Sequence, residues 1–127
     1  MKPFIIACLV SSMAFAQSTK TTRDGVTTTV TDCDNLGPNV TTQFKITLPE
    51  SLEGKDVKVQ IYYTVHYKWY DRFLRGGDTG KWKFNETFEV SESETDVSHV
   101  GTIISMLDGR KDVEVLQAVI DSVIVFK

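Results

Sequence analysis

Four side chains suited to holding a ligand fall on one side of a single alternating run. Tyr62, His66, Lys68 and Tyr70 occupy even positions of residues 57–70, together with Lys58, Gln60 and Thr64, while the odd positions are Val57, Val59, Ile61, Tyr63, Val65, Tyr67 and Trp69. Successive side chains of a strand point to opposite faces, so this stretch has one greasy face and one wet face. A helix would scatter the same residues around its circumference. Flat rings beside hydrogen-bonding groups are what sugar recognition uses: the apolar face of a sugar stacks on a ring, and its hydroxyls bond polar neighbours. The same pattern also suits an ordinary solvated face, or one on which a second sheet or a partner packs. At about 3.3 Å per residue the run spans roughly 46 Å, so a bulge or bend is expected near His66.

Other chemistries find less to work with. His66 and His99 are the only histidines and stand far apart, and no HExxH, paired CxxC or acidic calcium loop is present, so no metal or other cofactor is expected. No GxSxG occurs, which leaves Cys33 with a distant histidine as the one nucleophile combination. No catalytic set is expected. Asn39-Val40-Thr41 and Asn85-Glu86-Thr87 are acceptor triplets for N-linked sugar. Alternation puts Asn85 opposite Trp82, Phe84 and Phe88, and therefore toward water.

The first sixteen residues read as a secretory signal peptide. Lys2 is the charged start, residues 4–10 are apolar, and Ala14-Phe15-Ala16 is a small-x-small cleavage site before Gln17. That apolar run is too short to cross a bilayer and no other segment comes closer, so no membrane insertion is expected. The expected product is residues 17–127, a secreted, extracellular chain of 127 − 16 = 111 residues in one domain. Loss of Lys2 moves the formal charge from −3 to −4. So mildly acidic a chain has no electrostatic reason to seek nucleic acid or anionic lipid. Cys8 leaves with the leader, and Cys33 alone cannot form an internal disulfide. Buried as a small apolar residue, Cys33 leaves the chain a monomer, which is the expectation.

Residues 17–31 carry seven threonines around Asp24-Gly25, a two-residue turn signal, and read as a frayed hairpin or tail. Residues 26–33 enter the sheet. Residues 40–48 form a strand with Phe44, Ile46 and Leu48 on one face, and Pro49 ends it because proline cannot donate to a ladder. A polar connection around Gly54 precedes the central strand. Residues 71–81, with Gly76-Gly77 and Gly80, read as a long hairpin loop. Residues 82–90 alternate again and should pair antiparallel with the central strand. Glu86 falls on their greasy face, as a rim position or a paired charge. Ser91-Glu92-Ser93-Glu94-Thr95-Asp96 reads as an acidic surface turn. Residues 97–107 have helical spacing, but their β-branched residues and Gly101 favour a strand. Residues 113–126 are apolar on nearly both faces, as a strand buried on both sides would be, with a break near Gln117. Six to seven strands without a helix predict an all-β, single-domain antiparallel β-sandwich of jelly-roll or immunoglobulin-like topology.

The ending Ala118-Val119-Ile120-Asp121-Ser122-Val123-Ile124-Val125 is similar to the last strand of jelly-roll carbohydrate-binding modules, which often closes on Ile-Asp-x-Val. Gly80-Lys81-Trp82 resembles the start of an earlier strand in the same modules. The likeness covers two short segments of a chain shorter than such modules, and it implies glycan binding. Arg72-Phe73-Leu74-Arg75 resembles the Arg-x-Leu-Arg motif of oomycete host-translocated effectors. In that family the motif precedes the effector domain; here it lies between two strands with no Glu-Glu-Arg partner, so Phe73 and Leu74 read as loop anchors. The expectation is a secreted, non-enzymatic binding or interaction protein acting outside the producing cell, effector-like in that respect. Its partner would be an extracellular protein or a glycan. The alternatives are a jelly-roll carbohydrate-binding module and a small secreted hydrolase whose site the sequence does not display.

Overall fold

The computed structural model describes residues 18–36, 39–71, 77–102 and 111–127. The expected leader (1–16), the Arg-x-Leu-Arg segment (72–75) and residues 103–107 lie outside them. Seven strands follow in order: β1 (Thr19–Thr21), β2 (Thr27–Leu36), β3 (Asn39–Thr47), β4 (Val57–Asp71), β5 (Gly77–Val90), β6 (Glu94–Thr102) and β7 (Lys111–Phe126). They make an antiparallel β-sandwich with one sheet ordered β1-β2-β3-β6 and the other β5-β4-β7. The order differs from that of constant immunoglobulin domains, whose sheets hold the first, second, fifth and fourth strands and the third, sixth and seventh. The β4–β5 pairing is nested inside the β3–β6 pairing, so the chain wraps as a folded-over hairpin.

The threonine-rich start is a hairpin. Gly25 N donates to Thr22 O at 3.0 Å and Thr22 N donates to Val26 O at 2.9 Å. The loop is thus Arg23, Asp24 and Gly25, one residue longer than the two-residue turn, with Gly25 at φ 90° in the left-handed position that such loops require. Thr19 faces Thr29 and Thr21 faces Thr27, with hydroxyls 3.1 and 3.0 Å apart. The connection after Pro49 is not wholly polar, since a 3-10 turn, Glu50–Leu52, buries Leu52.

The β4 strand is the centre of its sheet. It pairs with β5 from Val57↔Val90 to Tyr70↔Gly77, and with β7 from Lys58↔Phe126 to Asp71↔Lys111. Its odd positions Val57, Val59, Ile61, Tyr63, Val65 and Tyr67 are buried. They meet Val26, Val30, Phe44, Ile46 and Leu48 from the other sheet in one core, with Trp82, Phe84 and Phe88 of β5 packed half-buried against it. Glu86 lies on that inner side, half-buried on an edge strand opposite Ile61.

Three stretches expected as loop or turn are strand, the first being the start of residues 34–38, which read as a loop but where β2 continues to Leu36. The β5 strand starts at Gly77, so residues 77–81 belong to the sheet. Gly80 marks a ring contact there instead of a turn: a Cβ would stand 2.6 Å from the Tyr67 side chain, which lies over the glycine backbone. The β6 strand begins at Glu94, inside the acidic run. Glu94 is opposite Thr47, and Asp96 is opposite Lys45 with its side chain in solvent.

The last strand corrects the sequence reading most. It is not buried on both sides: Leu116, Ile124 and Phe126 are 37, 42 and 48 % exposed. Nor does it break near Gln117. Its register against β4 slips twice, between Tyr62 and Tyr63 and between His66 and Tyr67, leaving Asp121 and Leu116 as extra residues on β7. The irregularity expected near His66 is therefore on the strand beside it. Each bulge shifts the alternation by one residue. The inward residues are Val113 and Val115, then Ala118 and Ile120, then Val123 and Val125. Averaged over two slips, a one-sided pattern looks two-sided.

The flanks of the sandwich close differently. Where β2 meets β7, the Asn35 amide donates to Val113 O at 2.7 Å and accepts from Val115 N at 3.2 Å, a side chain acting as one rung of a ladder. Ser18 Oγ accepts from Ile120 N at 2.9 Å beside the Asp121 bulge. On the β5–β6 flank, Phe84 lies so close to Gly101 that a Cβ there would stand 2.4 Å from the ring. The central-strand assignment has a direct consequence: Ile61→Ala should lower stability by about 2–5 kcal/mol. An unchanged urea midpoint would place the odd positions of β4 outside the core.

Candidate functional site

Antiparallel neighbours point to the same side of a sheet, so the pairings of β4 fix what surrounds each of its outward residues. Tyr62 lies between Asn85 and Ser122, Thr64 between Lys83 and Val119, His66 between Lys81 and Gln117, and Lys68 between Thr79 and Glu114. Tyr62, His66, Lys68 and Tyr70 thus form one stripe along the outer face of the three-stranded sheet. The other sheet packs on the opposite face, and among the described residues nothing lies over this one. Tyr70 is 40 % exposed, while Tyr62, His66 and Lys68 are half-exposed.

The β7 bulges give the face relief. Each sets two consecutive residues outward, Leu116 with Gln117 and Asp121 with Ser122. Beside the first is a recess of about 330 Å³ lined by His66, Thr79, Lys81, Leu116 and Gln117. Beside the second is one of about 260 Å³ lined by Tyr62, Lys83, Asn85, Asp121 and Ser122. Between them Thr64 Oγ1 donates to Asp121 Oδ2 at 2.6 Å, which fixes the bulged carboxylate over the sheet. Lys68 Nζ stands 5.1 Å from the Tyr70 ring centroid. The Tyr70 hydroxyl is the main cause of a raised Lys68 pKa, with a smaller contribution from the Glu114 carboxylate. A larger recess, about 420 Å³, lies on the other sheet between Thr31, Gln43, Asp96 and Ser98 over the buried Phe44. It offers neither an exposed ring nor a cation, so it lacks the combination that the β4 stripe has.

The acceptor asparagines are both exposed. Asn85 is the cross-strand neighbour of Tyr62. Asn39 starts β3, and its Oδ1 accepts from Thr102 Oγ1 at 3.0 Å. Among the described residues no group of three or more His, Cys, Asp or Glu side chains could hold a metal ion.

Cys33 and His99 lie in one row, but not as nucleophile and base. They are the two ends of a row that crosses the inner side of the sandwich. Cys33 Sγ is 3.3 Å from Thr42 Oγ1, and Tyr63 Oη is 2.6 Å from His99 Nδ1. The rings of Phe84 and Tyr63 stack at 5.6 Å, and His99 meets both edge-on at 5.8 and 5.9 Å. Desolvation raises the Cys33 pKa, opposed by the Thr42 hydrogen bond and helped by Asp32 and Asp34. A thiol held protonated is the reverse of an activated nucleophile. The pairing of Tyr63 with His99 had no signal in the sequence, because Tyr63 looks like one more residue of a greasy alternation.

Comparison with protein-family models, curated proteins and solved structures finds no match. Lys81, Gln117, Asp121 and Ser122 join the face only through lateral strand pairing, which sequence reasoning did not foresee.

Two outcomes test the buried row. With Cys33 inside, the protein should run as a monomer on non-reducing gels and resist alkylation until unfolded; a reducible covalent dimer would place the thiol outside. Burial also pushes the Tyr63 phenol up from 10.0 to about 12, the Thr42 bond opposing and the Cys33 and Glu86 charges adding. Below pH 10 both the folded and unfolded chains keep this proton. Between pH 10 and 12 the unfolded chain loses it first, so stability falls as pH rises through that window. Ultraviolet titration should show one tyrosinate appearing near pH 12 that is missing in Tyr63→Phe.

Proposed function

We propose that this chain is a binding protein exported from the producing cell, and that it holds a glycan or a protein surface on the outer face of β5-β4-β7. The observation that carries this reading is the stripe itself. Tyr62, His66, Lys68 and Tyr70 lie on a sheet face whose reverse supplies the core, so the fold has no packing use for their rings. Rigid aromatic side chains give large contact area at low entropic cost, and the hydrogen-bonding groups beside them orient a ligand. Export is supported by the leader pattern of residues 1–16. Sugar attached at Asn85 would stand over Tyr62, so glycosylation there and ligand binding compete for the same ground.

The test is Tyr62→Ala combined with Tyr70→Ala, assayed on a glycan array and by pull-down from extracellular material, beside thermal melts by circular dichroism. Binding should weaken by about tenfold or more, on the order of 1–3 kcal/mol, with the melting curve little changed. A stable double variant that binds undiminished would remove this face and turn attention to the threonine-rich hairpin.

A further inference from the structure

The charges of this acidic chain fall unevenly on its two outer faces. The outer side of β1-β2-β3-β6 carries Asp32, Asp34, Glu94 and Asp96 against Lys45, which already stands 4.0 Å from Glu94. The outer side of β5-β4-β7 carries Lys58, Lys68, Lys81 and Lys83. Lys58 has Glu89 as cross-strand neighbour and Lys68 has Glu114. Lys81 and Lys83 have His66 and Thr64, and among the described residues neither forms an ion pair. They are exposed on one edge strand, about 6.8 Å apart along it, since residues two apart share a face. Across the stripe, β7 presents Glu114 and the bulged Asp121. The face is therefore basic along β5, aromatic along β4, and acidic with hydrogen-bonding neighbours along β7.

We propose that the ligand of this face is a polyuronate, a polysaccharide with one carboxylate on each sugar ring. This rests on the reading of the face as a binding surface. A sugar ring lying on Tyr62 has two edges. Along the stripe from Tyr62 to His66, a carboxylate on the β5 edge of a ring meets Lys83 or, further along, Lys81, and hydroxyls on the β7 edge meet acceptors in Asp121, Ser122 or Gln117. A neutral polysaccharide leaves both lysines without a counter-charge.

The test measures binding of oligogalacturonate and of its methyl ester, the same sugar without charge, to the whole exported chain by calorimetry. The acid should bind about fivefold or more tighter than the ester. That preference should vanish in Lys81→Gln with Lys83→Gln and at about 1 M salt, where the Debye length is about 3 Å. It should survive Lys45→Gln on the other sheet. An ester that binds as well as the acid, or a double lysine variant that keeps the preference, overturns the proposal. So do tighter binding of heparin, which would point to sulfated chains, and binding of neither oligosaccharide, which would leave a protein partner. The face reading fails separately, if Tyr62→Ala with Tyr70→Ala leaves oligosaccharide binding unchanged. Loss in that variant with no difference between acid and ester overturns the polyuronate alone.

Discussion

The β4 strand is hydrogen-bonded on both edges along nearly its whole length, and that double pairing governs the rest of the molecule. A strand held on both sides cannot slip by one residue without turning every side chain over. Such a slip would turn Lys58, His66 and Lys68 toward the core and put Ile61 and Tyr63 in water. The cost of burying those charges and exposing those hydrophobes makes one register overwhelmingly preferred. The core and the candidate face are thus two sides of one constraint. Phe44 closes on Tyr63 edge-to-face at 5.0 Å from the opposite sheet, and that contact lies directly behind the outward Tyr62 and Thr64.

Most polar groups that enter this core are tied to a partner, the Thr28 and Thr95 hydroxyls being the exceptions among the described residues. Cys33, Thr42, Tyr63 and His99 are brought in by four different strands of both sheets, and the Tyr63–His99 hydrogen bond spans the gap between the layers. Such a row adds direction to packing that is otherwise indifferent to small rotations, because buried polar partners must meet at defined distances. On the flank, the Asn35 amide does similar work for two backbone groups of an edge strand. Both arrangements join residues far apart in the chain.

That distance also explains what could be read from the sequence. The alternation of β4 was legible because it is local, and so was the placing of Tyr62, His66, Lys68 and Tyr70 on one face. The strand nature of β3 and the exposure of Asn85 were legible for the same reason. The face around the stripe was not, because Lys81 and Asp121 reach it through the identity of the neighbouring strands. The β7 strand misled because bulges reset its phase, and a fixed period cannot register a reset. The start of β5 misled because Gly80 looks like a loop residue until the Tyr67 ring is seen lying over it. Net charge could not show the placing of the charges either, because it is a sum over the whole chain.

Leu116 and Asp121 make β7 two residues longer than the stretch of β4 beside it. With these two removed on paper, inward and outward residues alternate without interruption from Val113 to Val125. They behave as insertions that the sheet tolerates by bulging outward, and neither contributes to the buried side. Variation at such positions can remodel the relief of the exposed surface while the interior keeps its sequence. Two kinds of selection can therefore act on neighbouring residues of a single strand almost independently, one conserving the hydrophobic lattice and the other exploring what the surface can hold.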